Sequence, residues 1–214
     1  MKNTKLLYTL AFIIVLALFV ISTIVYPSLP SRLITHWGAS GEANGYSSKL
    51  FGLFFLPIIT FVLLVLFFFI PRIDPLKKNI EKFKGYYALF VLLFVLYMGF
   101  IHIISILLNY GMKINIMFFI LPAMGLLFFF MGFLLEKTKR NFFIGIRTPW
   151  TLSSDKVWGQ THKLGGKLFK ICGVIAILGL FFTKYAIWFI LVPILASVIV
   201  LVIYSYVKYT QIKK

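Results

Sequence analysis

Acidic side chains are nearly missing from this chain. Five Asp and Glu stand against 22 Lys and Arg in 214 residues, a formal net charge of +17. The five are Glu42, Asp74, Glu81, Glu136 and Asp155, and each falls in a polar stretch or at the border of an apolar run. Proton-coupled transporters and pumps place carboxylates inside the membrane, where only function justifies their cost, so that chemistry has no carboxylate to carry it here. Cysteine is down to one residue, Cys172, which excludes an intramolecular disulfide and a zinc site built from several thiolates. No H-E-x-x-H, G-x-S-x-G or P-loop pattern occurs, and Gly38-Ala39-Ser40-Gly41 lacks the spacing of a nucleophile elbow. The expectation is therefore a protein that is not an enzyme, with no cofactor and no assigned metal.

Charged residues make up 13% of the chain and hydrophobic ones 61%, whereas soluble domains carry about a quarter charged and about half apolar. The apolar residues gather into six runs: Leu6 to Tyr26, Leu50 to Ile70, Tyr86 to Leu108, Ile114 to Leu135, Leu168 to Thr183 and Ala186 to Val207. Each approaches the roughly 20 residues that a helix needs to cross about 30 Å of hydrocarbon, and in lipid such runs must be helical because the backbone finds no water. The first run follows Lys2 and Lys5 as a signal peptide would, but it is too long for one and no A-x-A-like site follows, so it reads as a retained helix. The fold class expected is an all-α membrane protein with six transmembrane helices. No repeat links its two halves.

Lys and Arg are enriched in cytoplasmic loops. The segments before the first run, after the second, after the fourth with its helical exit as far as Lys170, and after the sixth hold 18 of the 22 cations, and the remaining four are Arg32, Lys49, Lys113 and Lys184. This asymmetry predicts cytoplasmic N- and C-termini, and it explains the excess charge by topology and attraction to anionic membrane lipids rather than by direct nucleic-acid binding.

Two hydrophilic segments exceed a tight turn. The outer one, 27–49, begins with Pro27 and Pro30, which end the helix. Leu33, Thr35 and Trp37 then alternate with Ile34 and His36 as in a short strand, and Asn44-Gly45 is a tight-turn dipeptide. A compact extracellular cap follows, with Trp37 and Tyr46 either anchored at the interface or docking an external ligand. His102, the ionisable group within a run, lies on the same side, where His36, Glu42 and His102 together offer an alternative metal or proton site.

The inner segment, 136–167, leads into the fifth span. Ser153 or Ser154 caps a helix starting near Asp155, whose charge suits the positive end of the helix, and that helix continues into the span. Trp158 and His162 share a face at four residues' spacing, and Gly159, Gly166 and Gly173 repeat at seven, marking a side open to another backbone, in this copy or a second one. Arg147 precedes a Thr148-Pro149-Trp150 turn and has a carboxylate, a helix C-terminus or a lipid phosphate as possible partners. Arg147, Trp150, Trp158 and His162 read either as interfacial anchors with intraloop hydrogen bonds or as a surface for a cytosolic partner.

Taken together, these loops resemble the SdpI family of bacterial membrane proteins. The outer pattern Leu29-Pro30, Thr35-His36-Trp37-Gly38, Gly41, Gly45, Ser48-Lys49 is similar to a small domain of unknown function common at the N-terminus of that family. The inner pattern Gly145-Ile146-Arg147-Thr148-Pro149-Trp150-Thr151, Ser154, Trp158, Thr161-His162, Gly165-Gly166 looks like the SdpI signature. The resemblance implies an N-terminal two-helix hairpin with its cap over residues 1–85 and a four-helix SdpI-like region over 86–214. It also implies a multi-pass plasma-membrane immunity protein that protects a bacterium against a secreted, membrane-active peptide toxin and signals by recruiting a cytosolic repressor. On that reading Arg32, His36, Trp37, Glu42, Tyr46 and His102 meet the toxin, while Gly145, Arg147, Thr148, Trp150, Trp158, His162 and Gly166 form the signalling surface. The alternative is a transporter or transporter subunit for a hydrophobic peptide or lipid. The oligomeric state stays open.

Overall fold

The structure, a computed structural model, describes residues 3–213; Lys2 and Lys214 of the charge count lie outside the described residues. The elements run α1 (Thr4–Val25), β1 (Arg32–Trp37), β2 (Ala43–Ser48), α2 (Lys49–Ile73), α3 (Lys77–Ile80), α4 (Lys84–Asn109), α5 (Met117–Lys137), α6 (Pro149–Ser153), α7 (Asp155–Leu178), a 3-10 turn Gly179–Tyr185, and α8 (Trp188–Lys213). Six of these helices are long and apolar enough to cross a membrane: α1, α2, α4, α5, α7 prolonged to Phe182, and α8. The chain is a multi-pass membrane protein, and its spans follow the apolar runs of the sequence. The fourth span, α5, starts at Met117 rather than Ile114, and just before it the Asn115 side chain accepts the Met117 N–H at 2.8 Å.

Six passes return both ends of the chain to one end of the bundle. That end also carries α3, α6 and the 138–154 loop, and it is called the loop end here. The β1–β2 hairpin closes the other, the hairpin end. Between them α4 is the central helix, touching α1, α2 and α5. Its residues Tyr87, Val91 and Val95 join Ala11 and Val15 of α1 and Leu64 of α2 in one buried core. A second core, near the hairpin end of α5, α7 and α8, gathers Leu121, Ala176 and Ile190.

The most extensive packing is α5 on α7, and glycine makes it possible. A Cβ added at Gly173 would lie 2.5 Å from the Gly125 carbonyl, and one at Gly166 would lie 2.7 Å from the Gly132 carbonyl. The helices are antiparallel, so two glycines seven residues apart on each meet in two pairs. In lipid, helix association rests on such backbone approach because apolar side chains gain nothing by leaving lipid tails. The glycine stripe read from the sequence therefore packs within one copy at Gly166 and Gly173. At Gly159 the close approach does not occur, since a Cβ there meets nothing within 4 Å. The reason is that α5 has already ended at Lys137.

The outer segment forms a compact two-stranded hairpin in which β1 is the expected strand, with one correction. Asn44-Gly45 lies inside β2, and the turn is 38–42, closed by the Gly38 N–H to Glu42 carbonyl bond at 2.8 Å with Gly41 at φ +84°. Gly45 serves instead as the partner of His36 at an irregularity in the ladder, where a Cβ would come within 2.7 Å of the His36 Cβ.

These contacts predict opposite outcomes at three glycines of one helix. Gly159→Ala should stabilise the protein by about 0.5–1 kcal/mol, the helix-propensity gain of removing an unconstrained glycine. Gly166→Ala and Gly173→Ala should each cost about 1–3 kcal/mol by overpacking. Thermal unfolding of the three variants in one detergent measures the sign at each.

Candidate functional site

Two polar assemblies stand at opposite ends of the bundle. At the loop end, residues 138–154 are tied down by their own polar atoms. Asn141 is fully buried: its Oδ1 accepts the N–H groups of Phe143 (3.0 Å) and Ile144 (2.6 Å), and its Nδ2 donates to the carbonyls of Lys139 (2.8 Å) and Ile144 (2.9 Å). Asp74, 2% exposed at the end of α2, accepts the N–H groups of Leu76 at 2.6 Å and Phe142 at 2.8 Å, which joins the loop to the first half of the chain. Arg147 donates to the Phe142 carbonyl at 2.6 Å, so its partner is its own loop. Thr148 and Thr151 exchange side-chain and backbone bonds as a capping box for α6, with Pro149 at its first position. The Thr148 hydroxyl also donates to Ser205 of α8 at 3.1 Å, and Trp150 packs edge-on to Tyr206.

Under this loop the start of α7 supplies the centre. Ser154 caps the helix through the Val157 N–H. Trp158 and His162 stack at 4.0 Å with 16° between their rings. Trp158 donates from Nε1 to the Thr138 carbonyl at 3.2 Å; His162 donates from Nδ1 to the Trp158 carbonyl at 2.9 Å and accepts the Ile146 N–H on Nε2 at 2.9 Å. An Nε2 that accepts a backbone donor cannot carry a proton, so His162 is the neutral Nδ1–H tautomer. Gly145, at φ +114°, passes directly over the imidazole, where a Cβ would collide with His162 Nε2. Trp158 is 2% exposed and His162 1%. The interfacial-anchor reading of this pair is thereby corrected, and neither ring is on the surface. Of the expected signalling residues, Gly145, Arg147 and Trp150 retain exposure, whereas Thr148, Trp158, His162 and Gly166 are buried.

At the hairpin end, Leu33 of β1 packs with Leu29, Leu53 and Ile106, and half-buried Trp37 packs against Ile104, Leu108 and Ile116. Two asparagines clamp the hairpin to the α4–α5 link. Asn109 accepts the Ile34 N–H at 2.8 Å and donates to the Ile34 carbonyl at 3.1 Å, and Asn115 donates to the Ser40 carbonyl at 2.6 Å. Arg32, His36, Glu42 and Tyr46 are exposed, with His36 Nδ1 bonded to Asn44 Oδ1 at 2.6 Å.

His102 is not part of that surface. It is 1% exposed, and its Nε2–H donates to Ser22 Oγ at 2.9 Å, whose hydroxyl in turn donates to the Leu53 carbonyl at 3.1 Å. This relay ties α4 to α1 and α2 through Nε2 and leaves Nδ1 buried without a hydrogen-bond partner. Among the described residues no group of three or more His, Cys, Asp or Glu is placed to hold a metal, so the alternative site of His36, Glu42 and His102 does not assemble. Sequence reasoning missed Ser22, Asp74, Asn109, Asn115 and Asn141; the signal of Ser22, Asn109 and Asn115 was a small polar residue inside or at the margin of an apolar run, and Asn141 in its polar stretch had none.

Comparison with known proteins agrees with this layout. The SdpI/YfhL protein family model matches residues 137–207, and the model of a domain of unknown function, DUF1648, matches residues 13–61. Over 204 residues the chain is 26% identical to Immunity protein SdpI of Bacillus subtilis (strain 168), covering 95% of this chain and 96% of that one. No solved structure matches.

The stacked pair carries a stability prediction. His162→Ala removes the stack and leaves the part-buried Ile146 N–H unpaired, a loss of about 2–4 kcal/mol from the unsatisfied donor and the cavity together. Trp158→Phe keeps a ring but drops the bond to the Thr138 carbonyl, a loss of about 1 kcal/mol. Thermal unfolding, with protease susceptibility of the 138–154 loop as a second readout, checks both.

Proposed function

Proceeding from a chain that resembles the SdpI family in both of its halves, we propose that it is an immunity protein of a bacterial plasma membrane, protecting its host against a secreted, membrane-active peptide. The observation that carries this reading is the collinear similarity of nearly the whole chain to a protein named for immunity. The termini and the loop end lie in the cytoplasm and the hairpin faces outward, the orientation that the Lys and Arg distribution favours.

On this reading the half comprising residues 1–85 senses the toxin. A peptide arriving in the outer leaflet meets a rigid hairpin whose exposed Arg32, His36, Glu42 and Tyr46 offer charge and hydrogen bonds, beside the half-buried Trp37. His102 acts from below by holding α1, α2 and α4 together, a positioning role. Protection is then stoichiometric: bound toxin is toxin that does not permeabilise the bilayer.

The half comprising 86–214 carries the signal. A ligand shifts an equilibrium only as far as it prefers one state, and α7, continuous from the loop end through the membrane, is the element whose displacement would change the exposure of Arg147 and Trp150. A cytosolic repressor drawn to that surface would couple toxin binding to gene expression. Buried Trp158 and His162 would hold the surface in shape rather than touch the partner.

The experiment is expression in a toxin-sensitive bacterium, with membrane potential followed by dye fluorescence as sporulation-delaying-type peptide is added. Expressing cells should keep their potential while control cells lose it; equal depolarisation despite confirmed insertion overturns the toxin reading. His36→Ala with Trp37→Ala should reduce protection at unchanged membrane levels. Arg147→Ala with Trp150→Ala should spare protection and abolish membrane recruitment of a repressor. Peptide-dependent efflux from vesicles would favour transport over sequestration.

A further inference from the structure

At the loop end the glycine stripe of α7 outruns its partner. Gly173 faces Gly125 and Gly166 faces Gly132; seven residues further, Gly159 would face position 139, but α5 has stopped at Lys137 and the chain has turned through Thr138 into the loop. The space an α5 continuation would fill is a cleft of about 600 Å³, bounded by Asn79 and Lys82, the end of α5 and the first half of α7.

Its charge is one-sided. Lys82, Lys139, Arg140, Lys163 and Lys167 line it, against Glu136 and Asp155. Both carboxylates are occupied: Glu136 pairs with Lys170 at 2.8 Å and Asp155 with Arg140 at 2.7 Å. Arg140 also donates to the Leu152 carbonyl at 2.8 Å, and Lys82 donates to Asn79 at 3.1 Å. Among the described residues, the side-chain ammonium groups of Lys139, Lys163 and Lys167 have neither an ion-pair nor a hydrogen-bond partner. Lys163 and Lys167 follow Gly159 at four and eight residues, so an open glycine floor and two free ammonium groups share one helix face. Three unpaired cations around one concavity repel each other unless an anion sits between them.

The position of the cleft narrows the ligand. Lys167 immediately precedes Leu168, where the apolar run of α7 begins, and Glu136 immediately follows Leu135 at the end of that of α5. The cleft thus opens at the level where the apolar spans end. Its volume suits one small ligand. The free donors are ammonium point charges, of the kind that bind phosphate, and they stand at the level where phospholipid headgroups present it.

We propose that this cleft binds a phosphate-bearing anion through Lys139, Lys163 and Lys167, either the headgroup of an anionic phospholipid or a soluble phosphate compound. The inference goes beyond the immunity reading and stands if that reading fails.

The test uses the full chain, purified and delipidated in neutral detergent, with thermal unfolding titrated against dioctanoyl phosphatidylglycerol, dioctanoyl phosphatidylcholine, pyrophosphate and pentaglutamate. Phosphatidylglycerol should raise the unfolding temperature and phosphatidylcholine should not. Replacing Lys139, Lys163 and Lys167 together with Gln should raise the half-saturating concentration about tenfold or more, each lost charge-assisted bond being worth at least that factor. Gly159→Phe, which fills the cleft without changing charge, should do the same. A variant with Gln at Lys77, Lys78 and Lys113, of equal net charge, should titrate like the wild type. Pyrophosphate matching phosphatidylglycerol identifies a soluble ligand, and phosphatidylglycerol acting alone identifies lipid; either supports the site. Stabilisation by pentaglutamate without the phosphates, or equal titration by the triple-lysine and control variants, overturns it. If Gly159→Phe unfolds early without ligand, the lysine variants decide.

Discussion

Everything at the loop end depends on how closely α5 and α7 approach. Two glycine pairs let the backbones touch at Gly125 with Gly173 and at Gly132 with Gly166, and this contact fixes the register of two antiparallel helices to within a residue, because any neighbouring register presents a Cβ to a carbonyl. From that register the rest follows. Lys170 comes opposite Glu136, Trp158 comes beneath the Thr138 carbonyl where α5 ends, and the connecting loop must fold back over His162 to reach the start of α7. In a membrane, where side-chain hydrophobicity drives no association, such a contact has more weight than in a water-soluble core.

The signature residues of that loop turn out to be structural parts with distinct jobs. Gly145 supplies a left-handed backbone against an imidazole, Thr148 and Thr151 cap a short helix, Ser154 caps a long one, and His162 receives the part-buried Ile146 N–H. Because Asn141 satisfies all four of its hydrogen-bonding positions inside the loop, opening any part of the loop strands several polar groups at once. A segment held in this way moves as a unit or not at all.

The spans, the hairpin and the continuous helix from Asp155 were legible because they are written in local patterns: long apolar runs, alternation at Leu33 to Trp37, and a serine before an acidic first turn. Two of three glycines in the α7 stripe were read correctly for the same reason. The third failed because its fate depends on where another helix stops, and nothing within α7 records the end of α5. Asn44-Gly45 was misread as the turn because the dipeptide that favours a tight turn also suits a ladder irregularity, and the choice was made by His36 across the hairpin. The burial of Trp158, His162 and His102, and the roles of Ser22, Asp74, Asn109 and Asn115, rest on partners 16 to 80 residues away in the chain. One sequence contains no sign of those pairings.

The clamp at the hairpin end also restricts how a peptide can be recognised there. A two-stranded ribbon ordinarily offers its outer edge as a template on which an extended chain adds a third strand. On β1 the amide side chain of Asn109 already occupies both the N–H and the carbonyl of Ile34, as a neighbouring strand would. An incoming peptide that paired with β1 would have to displace a side chain rooted in the last turn of α4. At Ile34, β1 therefore has no free backbone pair left on which a third strand could add.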